Sequence, residues 1–234
     1  MKTASSILIA CVLVLSGCSK NEAPATAPAA NTAATPPAAP PPEEPAVLSE
    51  ELKARLVRPH SPVLGPAQAP VTIVEFLDPA CEACRAYAPV VKQILFLYPT
   101  EVRVVVRFAD FHEGSDEAIR LIEASRRQGK FEQVLGALFD GQDQWASHHR
   151  PNLEEAWKIA AANGVDVARA RREGASPSVD AILTQEAADI VALQVQRTPT
   201  FFVNGKPLTV FGAEPLMKLV AEEVKAAGGA KTAN

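Results

Sequence analysis

Residues 71–84 read VTIVEFLDPACEAC, and this stretch decides the fold that we expect the chain to adopt. Its first half, Val71 to Leu77, is a nearly continuous apolar run rich in β-branched residues, which is typical of a strand covered on both faces. After this run the apolar spacing becomes helical. The residues that share one helix face are Cys84, Ala88, Val91 and Leu95. The sequence therefore predicts a strand that leads into a helix, with two cysteines at the junction.

The position of the cysteine pair predicts thiol–disulfide chemistry. Free backbone N–H groups and the helix dipole at a helix N-terminus favour an anion, so we expect Cys81 to have a lowered pKa. Cys84 lies one turn further into the helix, where it should be more buried and act as the resolving thiol. Exchange would run through a mixed disulfide on Cys81, which Cys84 resolves by attack. The Cys81–Cys84 disulfide would be the redox-active group, and no other cofactor is expected.

Two other interpretations of this pair are weaker. A zinc site needs four ligands, and His148-His149 would have to complete it, although such residues are more often solvated; we assign no metal. A purely structural disulfide between residues three apart closes almost no loop, so it would contribute little stability.

Glu75 interrupts the first strand six residues before Cys81. Burial raises the pKa of a carboxyl group, and perturbed groups of this kind mark functional sites. A buried Glu75 that titrates near neutrality could take the proton of Cys84. The alternative is a glutamate that points to solvent from an edge strand, but its uninterrupted apolar neighbours favour burial.

The remaining pattern predicts the order β-α-β, a helical block, then β-β-α. The predicted strands and final helix are Val102 to Phe108, Pro199 to Val203, a hairpin partner from Lys206 to Phe211 after the turn Asn204-Gly205, and a helix from Glu214 to Ala227. Helix boundaries in the block are predicted at Ser115, at Asn152 with Glu155, at Asn163-Gly164 and at Ser176-Pro177. Trp145 and Trp157 are assigned to the core of this block. Arg103 and Arg107 interrupt the second strand and receive no role.

The N-terminal residues 1–17 are predicted to be a signal peptide. Lys2 precedes a short apolar run, Ile7 to Leu15, which is shorter than the roughly 20 residues of a membrane-spanning helix. The run ends in LSGC at residues 15–18, which resembles the lipobox of bacterial lipoproteins and implies cleavage before a lipidated Cys18. A plain secretory signal is the alternative. Ser19 is of the type that follows the lipidated cysteine in lipoproteins sorted to an outer membrane.

Residues 18–47 are predicted to be a lipidated cysteine and a disordered tether, because the segment is almost entirely alanine, proline and small polar residues. Residues 48–234 would form one domain with a helical insertion at about 112–195. The formal net charge is −4, with no basic stripe, so nucleic acid is not expected as a partner. With Cys11 removed in the signal and Cys18 consumed by lipid, Cys81 and Cys84 remain in a compartment where disulfides persist.

Three features together resemble the DsbA-like branch of the thioredoxin-fold oxidoreductases. They are Cys81-Glu82-Ala83-Cys84 after a strand, the acid at Glu75, and Thr198-Pro199 in the cis-proline position. The resemblance covers roughly residues 60–227 and implies an α/β thioredoxin fold with an inserted helical subdomain. It also implies a nucleophilic Cys81, a resolving Cys84, a buried Glu75 and a cis Thr198–Pro199 bond. The Thr198 backbone would bind an extended substrate segment by strand addition.

The residues between the cysteines depart from the pattern of the strongest oxidases of this branch. Those carry Pro-His, whereas this chain has Glu82-Ala83. A negative Glu82 should oppose the thiolate, although it also suits the first turn of a helix. A less stabilised thiolate makes a less oxidising disulfide, so the sequence predicts a milder redox catalyst.

The expected function is disulfide exchange in the periplasm, with a lipid anchor holding the protein to the membrane. The expected partners are cysteine-containing exported proteins and a membrane or periplasmic redox partner. Two alternatives stay open: a reductase that repairs oxidised thiols and is kept reduced by a membrane partner, and a non-enzymatic lipoprotein that uses the fold to bind a partner or metal.

Overall fold

The computed structural model describes residues 48–147 and 150–231 as a five-stranded mixed sheet with helices on both faces. The strands are β1 (Val63–Leu64), β2 (Val71–Leu77), β3 (Val102–Phe108), β4 (Thr200–Val203) and β5 (Lys206–Pro207). The helices are α1 (Glu50–Leu56), α2 (Glu82–Leu97), α3 (Ser115–Arg126), α4 (Phe131–Asp140), α5 (Gln142–Trp145), α6 (Leu153–Ala162), α7 (Val167–Gly174), α8 (Pro177–Ala192) and α9 (Ala213–Lys231). The predicted signal peptide, Cys18, the tether and His148-His149 lie outside the described residues.

The sheet has the order β1-β3-β2-β4-β5, which places β2 at its centre. β2 and β3 are parallel, and the other three neighbouring pairs are antiparallel. In the register of the central strands, Glu75 lies between Val106 of β3 and Phe201 of β4. The edge-strand alternative for Glu75 is therefore wrong.

The two faces of β2 pack against different sets of helices. Ile73 and Leu77 face the larger core, which includes Val91 and Ile94 of α2 and many residues of the helical block. Val74 and Phe76 face a smaller core; its other members include Leu56, Ile190, Leu193 and Phe202. Burial on both faces explains why β2 lacks the alternation of a half-exposed strand.

Six helices, α3 to α8, lie between β3 and β4, and they form the helical insertion that the resemblance implied. The predicted helix boundaries in this block are confirmed: α3 begins at Ser115, Asn152 caps α6 by accepting a hydrogen bond from the Glu155 N–H, and α8 begins after Ser176. Trp145 and Trp157 are buried, as predicted.

Three elements differ from the sequence prediction. β1 was not predicted, because two residues between prolines carry no readable periodicity. The hairpin partner of β4 is limited to Lys206 and Pro207, followed by one more hydrogen bond from the Leu208 N–H to the Phe201 carbonyl oxygen. Val210 and Phe211, which were predicted to continue this strand, remain exposed. α9 extends to Lys231. Within the described part of the chain, none of the helices combines the length and apolar character needed to cross a membrane.

Candidate active site

Cys81 is the N-cap residue of α2, at the point where the chain leaves β2 and enters the helix. Both Cys81 and Cys84 are free cysteines. Cys81 keeps 6% of its surface exposed, whereas Cys84 is fully buried. The structure thus places the outer and inner sulfurs as the sequence predicted.

The pKa of Cys81 is lowered to about 5. The largest cause is a hydrogen bond from the Cys84 thiol, which burial of Cys81 opposes by raising the pKa. A hydrogen bond that the Thr198 hydroxyl can donate to the ionised sulfur, and the backbone N–H groups of Cys84 and Ala83, lower it further. These two amides belong to the first turn of α2, so the helix terminus contributes as predicted, but less than the neighbouring thiol does.

Thr198 contacts Cys81 from the opposite side of the site. The Cys81 thiol can donate to the Thr198 carbonyl oxygen, with Sγ and O 3.3 Å apart. The Thr198 hydroxyl is buried and has no hydrogen-bond partner among the described residues, so it is free to donate to the thiolate once Cys81 ionises. The following peptide bond, Thr198–Pro199, is cis, as the resemblance implied.

Cys84 has the opposite electrostatic environment. Its Sγ accepts a hydrogen bond from the backbone N–H of Asp78 at 3.4 Å. Burial raises the pKa of Cys84 far above that of an ordinary thiol, and the hydrogen bond to Cys81 and the charges of Cys81 and Glu75 raise it further. Two sulfurs three residues apart therefore differ strongly in their tendency to ionise.

Glu75 lies on β2 with only 4% of its surface exposed. Burial raises its pKa to about 8, and among the described residues its carboxyl group has no hydrogen-bond partner. The side chain lines a cavity of about 360 Å³ between the sheet, α2 and α4. Most of the other lining residues are apolar, and Arg85, Lys92, Glu132 and Asp140 are the charged ones. The cavity gives this buried acid a route to solvent that does not pass Cys81.

The two residues between the cysteines take different positions. Glu82 is exposed and is the acidic residue of the first turn of α2, whereas Ala83 is partly buried and directs its backbone N–H toward Cys81. Their predicted effect on the redox potential remains a prediction.

Asp78 is a site residue that the sequence analysis missed. It follows β2 directly, its side chain is fully buried, and its backbone carbonyl accepts a hydrogen bond from the Cys81 N–H at 3.1 Å. An acid placed between a buried strand and a Cys-x-x-Cys pair is a signal that could have identified it.

Gln142 of α5 was also missed. It is buried, and its amide nitrogen donates to the carbonyl oxygens of Pro79 and Cys81 at 2.9 and 3.1 Å. The helical insertion therefore holds the loop that carries the outer cysteine. Nothing in the local sequence around Gln142 indicates this contact.

An apolar surface continues from the site along α2. The Tyr87 ring packs between Phe201 of β4 and Phe211, with ring centroids 5.5 and 4.8 Å apart. Phe211 is about half exposed, and Val210 beside it is more exposed. Among the described residues, no group of three or more His, Cys, Asp or Glu side chains is arranged to hold a metal ion.

This combination of fold and site defines a class. A sheet with β2 at its centre, a Cys-x-x-Cys pair at the N-terminus of α2 and a helical insertion is the arrangement of the DsbA-like branch of thioredoxin-fold proteins. The sequence model of the family Thioredoxin_4, described as thioredoxin, matches residues 58–221. The chain belongs to this thioredoxin family.

Solved structures support the same classification. A thioredoxin-like oxidoreductase from Silicibacter pomeroyi is 28% identical, with a TM-score of 0.65, and the match covers 76% of this chain and 99% of that one. Wolbachia pipientis alpha-DsbA1 is 18% identical, with a TM-score of 0.67 and coverage of 75% and 96%, which shows a shared fold.

Curated relatives share only part of their length with this chain. A Na(+)/H(+) antiporter NhaA 3 from Salinispora tropica is 35% identical over 149 residues, which is 62% of this chain and 22% of the antiporter. The chain spans about a fifth of the length of the curated relatives it matches.

Proposed function

We propose that this protein is a periplasmic thiol–disulfide oxidoreductase that exchanges disulfides with client proteins through Cys81 and Cys84. The observation that carries the proposal is the opposite ionisation of the two sulfurs. The pKa of Cys81 is about 5, so this residue is a thiolate at neutral pH and a good leaving group. The pKa of Cys84 is raised, so this residue keeps its proton.

In the oxidising direction, a client thiolate attacks Sγ of Cys81 in the Cys81–Cys84 disulfide. A bond forms between the client sulfur and Cys81, the Cys81–Cys84 bond breaks, and Cys84 leaves with the electron pair. A second client thiolate then attacks the client sulfur of the mixed disulfide, and Cys81 leaves as a thiolate. The client loses two electrons and two protons; the cysteine pair gains the electrons and one proton, and the other proton enters the solvent.

Glu75 would supply the proton that Cys84 needs. With a pKa of about 8, its carboxyl group is protonated at neutral pH, and it lies close enough to Cys84 for its charge to raise the pKa of that thiol. After donating, Glu75 would regain a proton through the cavity that it lines. In the reducing direction the fraction of Glu75 that is ionised would accept the proton of Cys84, and this fraction grows as the pH approaches 8.

The lowered pKa of Cys81 favours the oxidising direction, because stabilising the thiolate stabilises the reduced form. A pKa of about 5 lies between about 7 for thioredoxin and about 3.5 for DsbA. We therefore expect a reduction potential between roughly −270 and −120 mV, the values of those two proteins. This intermediate position agrees with the prediction of a milder catalyst from Glu82-Ala83.

Clients would be exported proteins with cysteines, bound in extended form beside the Thr198 backbone and the apolar surface of Tyr87 and Phe211. Lipidation of Cys18 would anchor the domain to a membrane on the tether. A redox partner in the periplasm or membrane would return the pair to its working state.

The decisive experiment traps clients in living cells. In the Cys84→Ser variant the mixed disulfide cannot be resolved by Cys84, so Cys81 should accumulate covalent adducts that mass spectrometry identifies. Cys81→Ser is the matched control and should capture none. If both variants capture equal amounts, and the wild type fails to accelerate insulin reduction by dithiothreitol, the protein is a binding lipoprotein and not an enzyme.

The direction of electron flow needs a separate measurement. Acid quenching followed by thiol alkylation traps the redox state of Cys81 and Cys84 in cells. A mainly disulfide population supports the oxidase, and a mainly dithiol population supports the reductase.

A further inference from the structure

One buried carboxylate at the end of β2 connects a loop histidine to the active site. The Asp78 carboxylate accepts hydrogen bonds from five donors, all within reach of its two oxygens. They are the backbone N–H groups of Ala80 at 2.8 Å, Phe111 at 2.8 Å and His112 at 3.0 Å, the His112 ring Nδ1 at 2.8 Å, and the Ser115 hydroxyl. A carboxylate can only accept, so its contact with the ring requires a proton on Nδ1 of His112 when Asp78 is ionised.

The main chain of Asp78 forms hydrogen bonds with both cysteines. The Asp78 N–H donates to Sγ of Cys84, and the Asp78 carbonyl accepts from the N–H of Cys81. His112 and the cysteine pair are therefore fixed to one rigid, fully buried residue. The hydrogen bond to Asp78 fixes the His112 ring relative to the segment that carries both cysteines.

His112 lines the same small cavity as Ala80, the residue that precedes Cys81. This cavity of about 190 Å³ brings together residues from three segments: Ala80, Phe111, His112, Glu113, Ala146 and Ser147. The imidazole is about one-third exposed, so its outer nitrogen can exchange protons with solvent.

The charged groups around His112 are acidic. Burial of the ring lowers its pKa, but the hydrogen bond and charge of Asp78, together with the charges of Cys81 and Glu82, raise it overall. In its own loop, Asp110 and Glu113 are also acidic, whereas Ala146 and Ser147 of the facing segment carry no charge. The surroundings therefore favour the imidazolium form.

We propose that His112, held in place by Asp78, supplies the positive charge that stabilises the Cys81 thiolate. This inference rests on the proposed function and deepens it, because it assigns a positioning residue that tunes the reactive sulfur. An electrostatic coupling is mutual, so a thiolate that favours the imidazolium is favoured by it to the same extent. The charge that the Glu82-Ala83 pair does not provide comes from the loop after β3.

The test compares two histidine variants that each lose an imidazole paired with a carboxylate. His112→Gln removes the proposed charge, whereas His60→Gln removes a ring bonded to Glu186 at 2.9 Å in a separate ion cluster. The pKa of Cys81 is measured from thiolate absorbance near 240 nm, and the reduction potential from equilibrium with glutathione. We expect His112→Gln to reduce the thiolate-to-thiol ratio about three- to tenfold, which makes the pair more reducing by roughly 15–30 mV. His60→Gln should leave both quantities unchanged.

A second measurement keeps the test decisive if His112→Gln does not fold. NMR titration of the His112 ring should show a pKa that falls when Cys81→Ser removes the thiolate from the reduced protein. A His112 pKa that is the same in both proteins, or a His112→Gln variant that folds and keeps the wild-type thiol pKa and potential, would overturn the inference. Because these titrations need no client, their outcome is independent of whether the protein catalyses disulfide exchange.

Discussion

Arg107 of β3 and Asp189 of α8 form an ion pair in which both side chains are fully buried, with Nη2 and Oδ2 2.8 Å apart. Arg107 also donates to Glu186 and to the carbonyl oxygens of Arg55 and Leu56 at the end of α1. One guanidinium therefore joins the sheet, the helical insertion and the first helix. Its satisfied hydrogen bonds are what make a buried arginine tolerable in this strand.

We expect Asp189→Ala to lower the free energy of unfolding by about 3–5 kcal/mol, because it leaves the Arg107 charge buried without this partner. Urea denaturation at pH 7 measures the loss. The matched control is Asp180→Ala, which breaks an exposed pair with Arg120 and should cost less than about 1 kcal/mol. Equal losses in the two variants would show that the buried cluster contributes no more than a surface pair.

The Cys81 thiolate should titrate with a midpoint near pH 5 in the reduced protein. Cys84→Ala should raise the pKa of Cys81, because it removes the largest stabilising hydrogen bond, and absorbance at 240 nm follows both titrations. Since the folded protein binds fewer protons at this site than the unfolded chain, the reduced wild type should gain stability over Cys81→Ser as the pH rises from about 5 toward 9. A midpoint near that of free cysteine would contradict the proposed site.

Glu75→Gln should stabilise the reduced protein at pH 8 by about 2–4 kcal/mol and have little effect at pH 4. The folded protein keeps the Glu75 proton up to about pH 8, whereas the unfolded chain releases it near its ordinary pKa of 4.5. The wild type therefore loses stability as the pH rises between these values, and glutamine does not. Urea denaturation at the two pH values tests this, with Glu222→Gln on the exposed side of α9 as the control.

Glu75→Gln should also slow the reaction of the Cys81–Cys84 disulfide with thiols. Without an acid beside Cys84, we expect the step in which this sulfur leaves the disulfide to slow about 100-fold at pH 7, as measured by stopped-flow reaction of the oxidised protein with a thiol. Glu222→Gln should react at the wild-type rate. An unchanged rate in Glu75→Gln would show that solvent, and not Glu75, protonates Cys84.

Phe211→Ser should weaken the binding of protein clients without changing the reactivity of Cys81 toward small thiols. The ring lies on Tyr87 beside the site and is about half exposed, so a client can cover it. We expect the half-saturating client concentration to rise about five- to tenfold, while the rate with dithiothreitol stays constant. Phe96→Ser removes a ring that is 83% exposed near the far end of α2 and is the control. Parallel losses in both variants would indicate non-specific adhesion.

The sequence predicted the elements that can be recognised from their own apolar residues. The strands at 71–77 and 102–108 match the structure residue for residue, because long apolar runs flanked by turn residues leave little choice of boundary. The position of the cysteine pair could also be predicted, because the strand, the start of the helix and both cysteines are contiguous in the sequence. β1 could not be predicted, because its two residues are a strand only through their pairing with Val105 and Val104 of β3.

The residues that were missed depend on partners far away in the chain. Arg107 received no role, because the acids that make its burial possible lie on α8, beyond five intervening helices. Asp78 and His112 are separated by α2 and β3, and only the folded sheet brings them together. Periodicity describes how one segment meets water or core, and it carries no information about which distant charges meet each other.

The Arg107 cluster also determines how mechanical force would pass through the domain. The chain enters the described domain at α1, and the last two carbonyl oxygens of this helix accept hydrogen bonds from the Arg107 guanidinium of β3. Tension applied from the N-terminal side would therefore be carried into the middle of the sheet by these hydrogen bonds. The hydrogen bonds that hold Cys81 and Cys84 come from Thr198, Asp78 and Gln142, none of which belongs to α1. We therefore expect such tension to load the Arg107 cluster before it reaches the two sulfurs.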